Sequence, residues 1–285
     1  MLLCQTLCYN RPVVALKELA NMGVLYREWR AAEPKAAFLL VHGIGAHSER
    51  WDFLANYFLP HNISSYAIEL RGFGETKEEP KGHIDNYYIY YEDIRQLALH
   101  IRQENPGKKL FIIGESLGAL FTTYCCAIYS EFFDGLINIS PAFKNNMTFP
   151  FMDYLMFIPN LIFNPRKMVN VPFNAKMITR DQAYGDKVQN DPREIRVASV
   201  RVLSNILATI FAVKRAASKL KMPVLFLIAG IDHLVDPRES RKVFDKLPMK
   251  DKKMIEYPEM LHALSIELGR EKVFADILAW VTPRL

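Results

Sequence analysis

The chain of 285 residues is 50% apolar and 24% charged, which excludes a disordered or fibrous protein and fits one large α/β domain or one domain carrying an insertion. Lysine and arginine total 36 against 31 aspartate and glutamate, a net +5 without a basic block that would track phosphates, so nothing points to nucleic acid. Four cysteines make no disulfide framework in a chain this long, and no apolar stretch reaches the roughly 20 residues of a spanning helix.

The N-terminus, Met1-Leu2-Leu3-Cys4, lacks a basic region followed by a long apolar run and does not read as a signal peptide. The expectation is a soluble, cytoplasmic protein. From there, short apolar runs alternate with helical patterns, the signature of a mostly parallel sheet. In chain order the strands are expected at Leu25–Arg30, Ala37–Val41, Ser65–Leu70, Leu110–Ile113, Leu136–Ile139, Val224–Ala229 and Met254–Tyr257. Between them lie helical patterns at Arg50–Phe58, Tyr88–Gln103, Leu117–Tyr129, Arg238–Lys246 and Arg270–Val281. Cys125 and Cys126 fall in an apolar helix and read as small buried thiols.

One stretch breaks the alternation. From about Phe143 to Lys221 no strand is evident. An aromatic and methionine-rich run, Phe149 to Phe163, opens it, and a long helix from about Arg193 to Leu220 closes it. The expected organisation is an α/β core at 1–142 and 222–285, with a helical cap inserted at 143–221. A cap over the carboxyl ends of parallel strands covers the place where such sheets bind ligands.

The sharpest chemical signal is Gly114-Glu115-Ser116-Leu117-Gly118, between an expected strand and an expected helix. That context makes a nucleophile elbow. The serine sits in a strained turn, and glycines on either side allow segments to approach where a Cβ would collide. A serine hydroxyl needs a base. His47, His61, His83 and His100 precede the elbow, whereas His262 follows the last strand, where this chain order puts the base. The acid belongs at the end of the preceding strand, and Asp232 follows Val224–Ala229 and its glycine turn. Asp236 precedes a proline and reads instead as a helix cap. His233, beside Asp232, has no companions at metal-ligand spacing, and neither metal nor cofactor is implied. The turn Val41-His42-Gly43-Ile44-Gly45 suits an oxyanion loop, which nominates the backbone amides of Ile44 and Leu117, with His42 bracing the loop.

With these pieces together, the sequence resembles the monoacylglycerol lipase and lysophospholipase branch of the α/β-hydrolases, often labelled serine aminopeptidase-like. The resemblance runs from about Tyr26 to Trp280. It is carried by Val41 to Ser48 with Glu49-Arg50-Trp51, Leu70 to Glu75, Gly82-His83-Ile84-Asp85, the elbow, Ile139-Ser140-Pro141, Ala229 to Asp232, and Asp236-Pro237. It implies a triad of Ser116, Asp232 and His262, the same oxyanion amides, and hydrolysis of a single-chain lipid ester through an acyl-enzyme. Glu69 stands where the family commonly has aspartate, Thr76 where it has serine, and the elbow continues Leu-Gly-Ala rather than Met-Gly-Gly. The first twenty or so residues carry none of these motifs.

The cap decides the substrate, and its likeness is loose. Met156 and Phe157 are the candidates for its contact with an acyl chain. The Phe149–Phe163 run fits either a buried cap core or an exposed apolar face for peripheral membrane contact. Besides monoacylglycerol, the alternatives are a lysophospholipid or a short aromatic ester cleaved by the same mechanism, and a non-catalytic ligand-binding relative.

Overall fold

The structure is a computed structural model that describes residues 14–19 and 22–285. Of the motif-free first residues, 1–13, with Cys4 and Cys8, lie outside the described ones. Ten strands are described: β1 Lys17–Leu19, β2 Val24–Trp29, β3 Ala36–Val41, β4 Ile63–Glu69, β5 Lys109–Glu115, β6 Gly135–Ile139, β7 Met168–Asn170, β8 Val197–Ser199, β9 Val224–Ala229 and β10 Lys252–Tyr257. The helices are α1 Asp52–Phe58, α2 Tyr88–Glu104, α3 Leu117–Ile128, α4 Phe151–Phe163, α5 Ala175–Ile178, α6 Gln182–Asn190, α7 Val200–Ala216, α8 Pro237–Asp245 and α9 Arg270–Val281.

Eight strands form one sheet in the order β1-β2-β4-β3-β5-β6-β9-β10. The six from β4 to β10 pair in parallel, and β2 and β1 extend that edge antiparallel. The mostly parallel α/β expectation holds. Every residue of β3, β4, β6 and β9 is buried, as a parallel sheet covered on both faces demands. Side chains alternate between two cores. Leu39, Val41 and Ile112 join α2, α3 and part of α7 on one face, while Phe38, Leu40 and Ile113 join α1 and α9 on the other. Cys125 and Cys126 are free, buried thiols in the first core, where desolvation raises both thiols.

Two expectations in the 143–221 stretch need correction. It does contain strands: β7 and β8 pair as a short antiparallel ribbon with Met168 opposite Ser199. Three-residue strands are too short to leave an alternating pattern. The expected helix from Arg193 begins only at Val200, because Ser199 caps it by accepting the Val202 amide at 3.2 Å. The residues before it belong to β8 and to ion pairs described below. Upstream, the helix expected at Arg50–Phe58 is a tight turn, Ser48–Trp51, followed by α1.

Candidate active site

Ser116 lies between β5 and α3 at φ 58°, ψ −117°, a backbone conformation rare for a residue with a side chain. Its glycine neighbours explain how the turn closes. A Cβ on Gly118 would fall 2.0 Å from the Val41 carbonyl oxygen, and one on Gly114 would fall 2.5 Å from the Ala119 nitrogen. The Ser116 amide donates to the Ile139 carbonyl at 2.9 Å, which ties the turn to β6. Leu117 opens α3, so its N–H has no acceptor within the helix and faces the nucleophile end.

The loop after β3 approaches this turn closely. A Cβ on Gly43 would stand 3.2 Å from the Ser116 Cβ. His42 braces the loop in a defined tautomer: Nδ1–H donates to the Gly43 carbonyl at 2.8 Å, and Nε2 accepts the Leu70 amide at 3.1 Å. Burial pushes His42 below the ordinary imidazole value, in keeping with a neutral ring. The next glycine, Gly45 at φ +76°, has no room for a side chain, because a Cβ would lie 2.1 Å from the Ile195 carbonyl oxygen. Ile195 donates its amide to Gly45 at 3.0 Å, so residues after α6 are laid directly on this loop. Arg50 pairs with Glu194, and Arg193 bridges Glu49 and Asp191 at 2.7 Å each.

Asp232 and His262 meet. Their loops follow β9 and β10, adjacent parallel strands, so both leave the same edge of the sheet. Gly230 donates to the Tyr257 carbonyl at 2.9 Å and Ile231 to the Met260 carbonyl at 3.1 Å. His262 Nδ1–H donates to Asp232 Oδ2 at 2.7 Å, with both side chains almost wholly buried. His262 Nε2 is left as a buried nitrogen with no hydrogen-bond partner among the described residues. Burial alone would push His262 down. The charge and hydrogen bond of Asp232, followed by the charge of Glu115, outweigh it and hold the imidazole above its ordinary value. Asp236 stands elsewhere, as the cap of α8, accepting the Arg238 amide at 3.0 Å and an ion pair from Lys144 at 2.9 Å.

Ser116 and His262 open into one cavity of about 340 Å³. Ile44 and Leu117 line it at the elbow, and Leu203, Ile206 and Ile210 of α7 line it from above. Phe157 also lines it, but Met156 does not and is 40% exposed. Of the pair nominated from the sequence, the structure therefore places only Phe157 on the cavity. Asp153, Tyr154, Phe157 and Ile158 form the cavity side of α4. No residue of α4 is buried, and Phe151 and Phe163 are 78% and 85% exposed. The buried cap-core reading of this run is therefore overturned. The elbow glutamate, Glu115, was not singled out from the sequence, yet it lines the cavity beside the serine. Among the described residues no group of His, Cys, Asp and Glu could hold a metal ion.

This fold and site define a serine hydrolase of the α/β-hydrolase class. A profile described as serine aminopeptidase, S33, matches residues 32–269, and the chain belongs to that family. Monoglyceride lipase of Homo sapiens is 26% identical, with 96% of this chain and 92% of that one covered. Phospholipase YtpA of Bacillus subtilis is 27% identical over 86% of this chain and 95% of its own. Among solved structures, a soluble variant of monoglyceride lipase from Saccharomyces cerevisiae in complex with a substrate analog superposes with a TM-score of 0.82. It is 21% identical and covers 96% of this chain and 97% of its own.

Proposed function

We propose that the protein hydrolyses monoacylglycerol, with Ser116, His262 and Asp232 as its catalytic triad. The observation that carries the reading is the buried, unpartnered Nε2 of His262, in the same apolar cavity as a strained serine and oriented by Asp232. His262 Nε2 takes the proton of Ser116 as Oγ attacks the ester carbonyl. The amides of Ile44 and Leu117 stabilise the oxyanion. As the tetrahedral intermediate collapses, His262 returns the proton to the leaving glycerol oxygen, and a water activated by the same nitrogen then releases the fatty acid. The relatives named monoglyceride lipase, which span nearly the whole chain, support the choice of head group.

In this reading residues 143–221 form a cap over the strand ends, with α4 and α7 as the walls of an acyl site. The exposed apolar side of α4 is a peripheral contact with a lipid surface on a cytoplasmic protein. Among the described residues no helix is long and apolar enough to cross a membrane. The testing experiment offers 1-oleoylglycerol, oleoyl lysophosphatidylcholine and a ladder of p-nitrophenyl esters to the protein and to Ser116→Ala. Monoacylglycerol turnover that Ser116→Ala abolishes supports the reading. Preference for the lysophospholipid would move the substrate to the phospholipase side, and turnover surviving in Ser116→Ala would remove the mechanism.

A further inference from the structure

Glu115 is the last residue of β5, buried, and next to the nucleophile. A carboxylate in apolar surroundings is costly unless its oxygens are hydrogen-bonded. Both of them are. Oε1 accepts the Ser265 amide at 3.0 Å, and Oε2 accepts the Ser265 hydroxyl at 2.8 Å. Ser265 is itself buried, one turn beyond His262 on the loop between β10 and α9. Among the described residues these two bonds are the hydrogen bonds that join the elbow, 114–118, to the loop 258–269. Other anchors of that loop come from the 143–221 stretch, such as the Ala263 amide on the Ile178 carbonyl at 2.9 Å, and from the loop after β9, where Ile231 donates to the Met260 carbonyl and Asp232 accepts from His262. Burial pushes the Glu115 carboxyl up, against the pull of Ser265, His262 and Arg50.

We propose that Glu115 is a positioning residue for the base: by clamping Ser265 it fixes the His262 loop against the turn that carries Ser116. The proposal rests on the reading of Ser116 and His262 as nucleophile and base. A proton moves between them only within hydrogen-bond reach, and an error of about 1 Å in such an arrangement costs on the order of a hundredfold in rate. A group that merely filled the space beside the elbow would be apolar, as most of the cavity wall is.

The test compares Glu115→Ala, Glu115→Gln, Ser265→Ala and the double variant Glu115→Ala/Ser265→Ala on p-nitrophenyl butyrate, whose short acyl group makes little use of the cap. Ser265→Ala removes only a hydroxyl and keeps the measurement open if Glu115→Ala fails to fold, as its thermal melt would reveal. Glu115→Ala is expected to lower kcat by roughly ten- to a hundredfold with KM within about twofold. Glu115→Gln should retain most of kcat. Its amide oxygen still accepts the Ser265 N–H, and its amide nitrogen can donate to the hydroxyl, which turns to accept. Ser265→Ala should lose less than Glu115→Ala, because the bond to the Ser265 amide remains. The double variant should be no worse than Glu115→Ala alone. Wild-type kcat in both Glu115→Ala and Ser265→Ala, a Glu115→Gln variant as damaged as the alanine, or losses that multiply in the double variant would overturn the clamp. Ser116→Ala separates the two levels. If it stays active, the functional reading fails. If it is inactive while the clamp variants behave as wild type, only the role of Glu115 fails.

Discussion

Asp232 divides its carboxylate between His262 and its own loop. Oδ2 accepts the imidazole N–H at 2.7 Å, while Oδ1 accepts the amides of Leu234 and Val235 at 2.9 and 3.0 Å. Burial opposes its ionisation, but the charge and hydrogen bond of His262, helped by those two amides, hold the carboxyl below its usual range. The acid is thereby ionised and immobile, which fixes both the tautomer and the plane of the ring.

Asp232→Asn should therefore cripple turnover, by roughly four orders of magnitude in kcat if the pair acts as a triad acid and base do. The amide would favour the tautomer that leaves no lone pair at Nε2. Asp236→Asn should leave kcat nearly unchanged, because asparagine also caps helices, and should cost under about 1 kcal/mol in stability. Steady-state kinetics and thermal melts of both variants check this. An inactive Asp236→Asn beside an active Asp232→Asn would reverse the assignment.

The pH dependence follows from the same pair. A base must be neutral, so kcat/KM should rise with pH through the folded-state value of His262, which lies above the ordinary imidazole value. Stability runs the other way. The contribution from a raised imidazole is fully present below its unfolded-state value and is lost as pH rises through the folded one. In Asp232→Asn burial dominates, and the residual activity should show its acid limb at lower pH. Profiles of kcat/KM measured beside melts at each pH test both signs. A wild-type acid limb below the ordinary imidazole value would contradict the account.

Two glycines of the site should fail in different ways. Gly118→Ala places a Cβ 2.0 Å from a backbone oxygen of β3, which cannot yield without moving the sheet. Loss of folded protein, or a large drop in melting temperature, is expected. Gly43→Ala meets Ser116 Cβ at 3.2 Å, a contact that relaxes by a few tenths of an ångström. It should fold, and should lose kcat as the serine and the oxyanion loop are pushed apart. A normal melt for Gly118→Ala would remove the packing argument.

Much of this was legible in the sequence because local chemistry and fold agree there. Val224–Ala229 reads as a buried strand and is one, since both of its faces are covered and no polar residue interrupts it. Gly114 and Gly118 announce close approach, and the structure supplies the atoms they approach. The 143–221 stretch reads poorly for physical reasons. Its strands are three residues long, and its shape is held by distant ion pairs such as Arg193 with Glu49, which leave no periodicity. Glu115 could have been noticed as a charged residue closing the apolar run Leu110–Gly114. That it bonds Ser265, 150 positions away, follows only from the fold.

The orientation of α4 gives the last prediction. Phe157 faces the cavity and Met156 faces outward, so serine at each should separate acyl binding from surface contact. Phe157→Ser should raise KM for long-chain esters and barely affect acetate esters. Each buried methylene contributes about 0.8 kcal/mol, and a two-carbon acyl group does not reach the wall. Met156→Ser should leave both esters unchanged in detergent solution. Together with Phe151→Ser and Phe163→Ser it should weaken co-sedimentation with phosphatidylcholine vesicles, because it removes apolar area from the exposed side of the helix. If Phe157→Ser loses activity equally on short and long esters with a lowered melting temperature, the residue supports the fold rather than the acyl chain. If the triple variant sediments as the wild type does, the exposed side of α4 is not the lipid contact, whatever Phe157 binds.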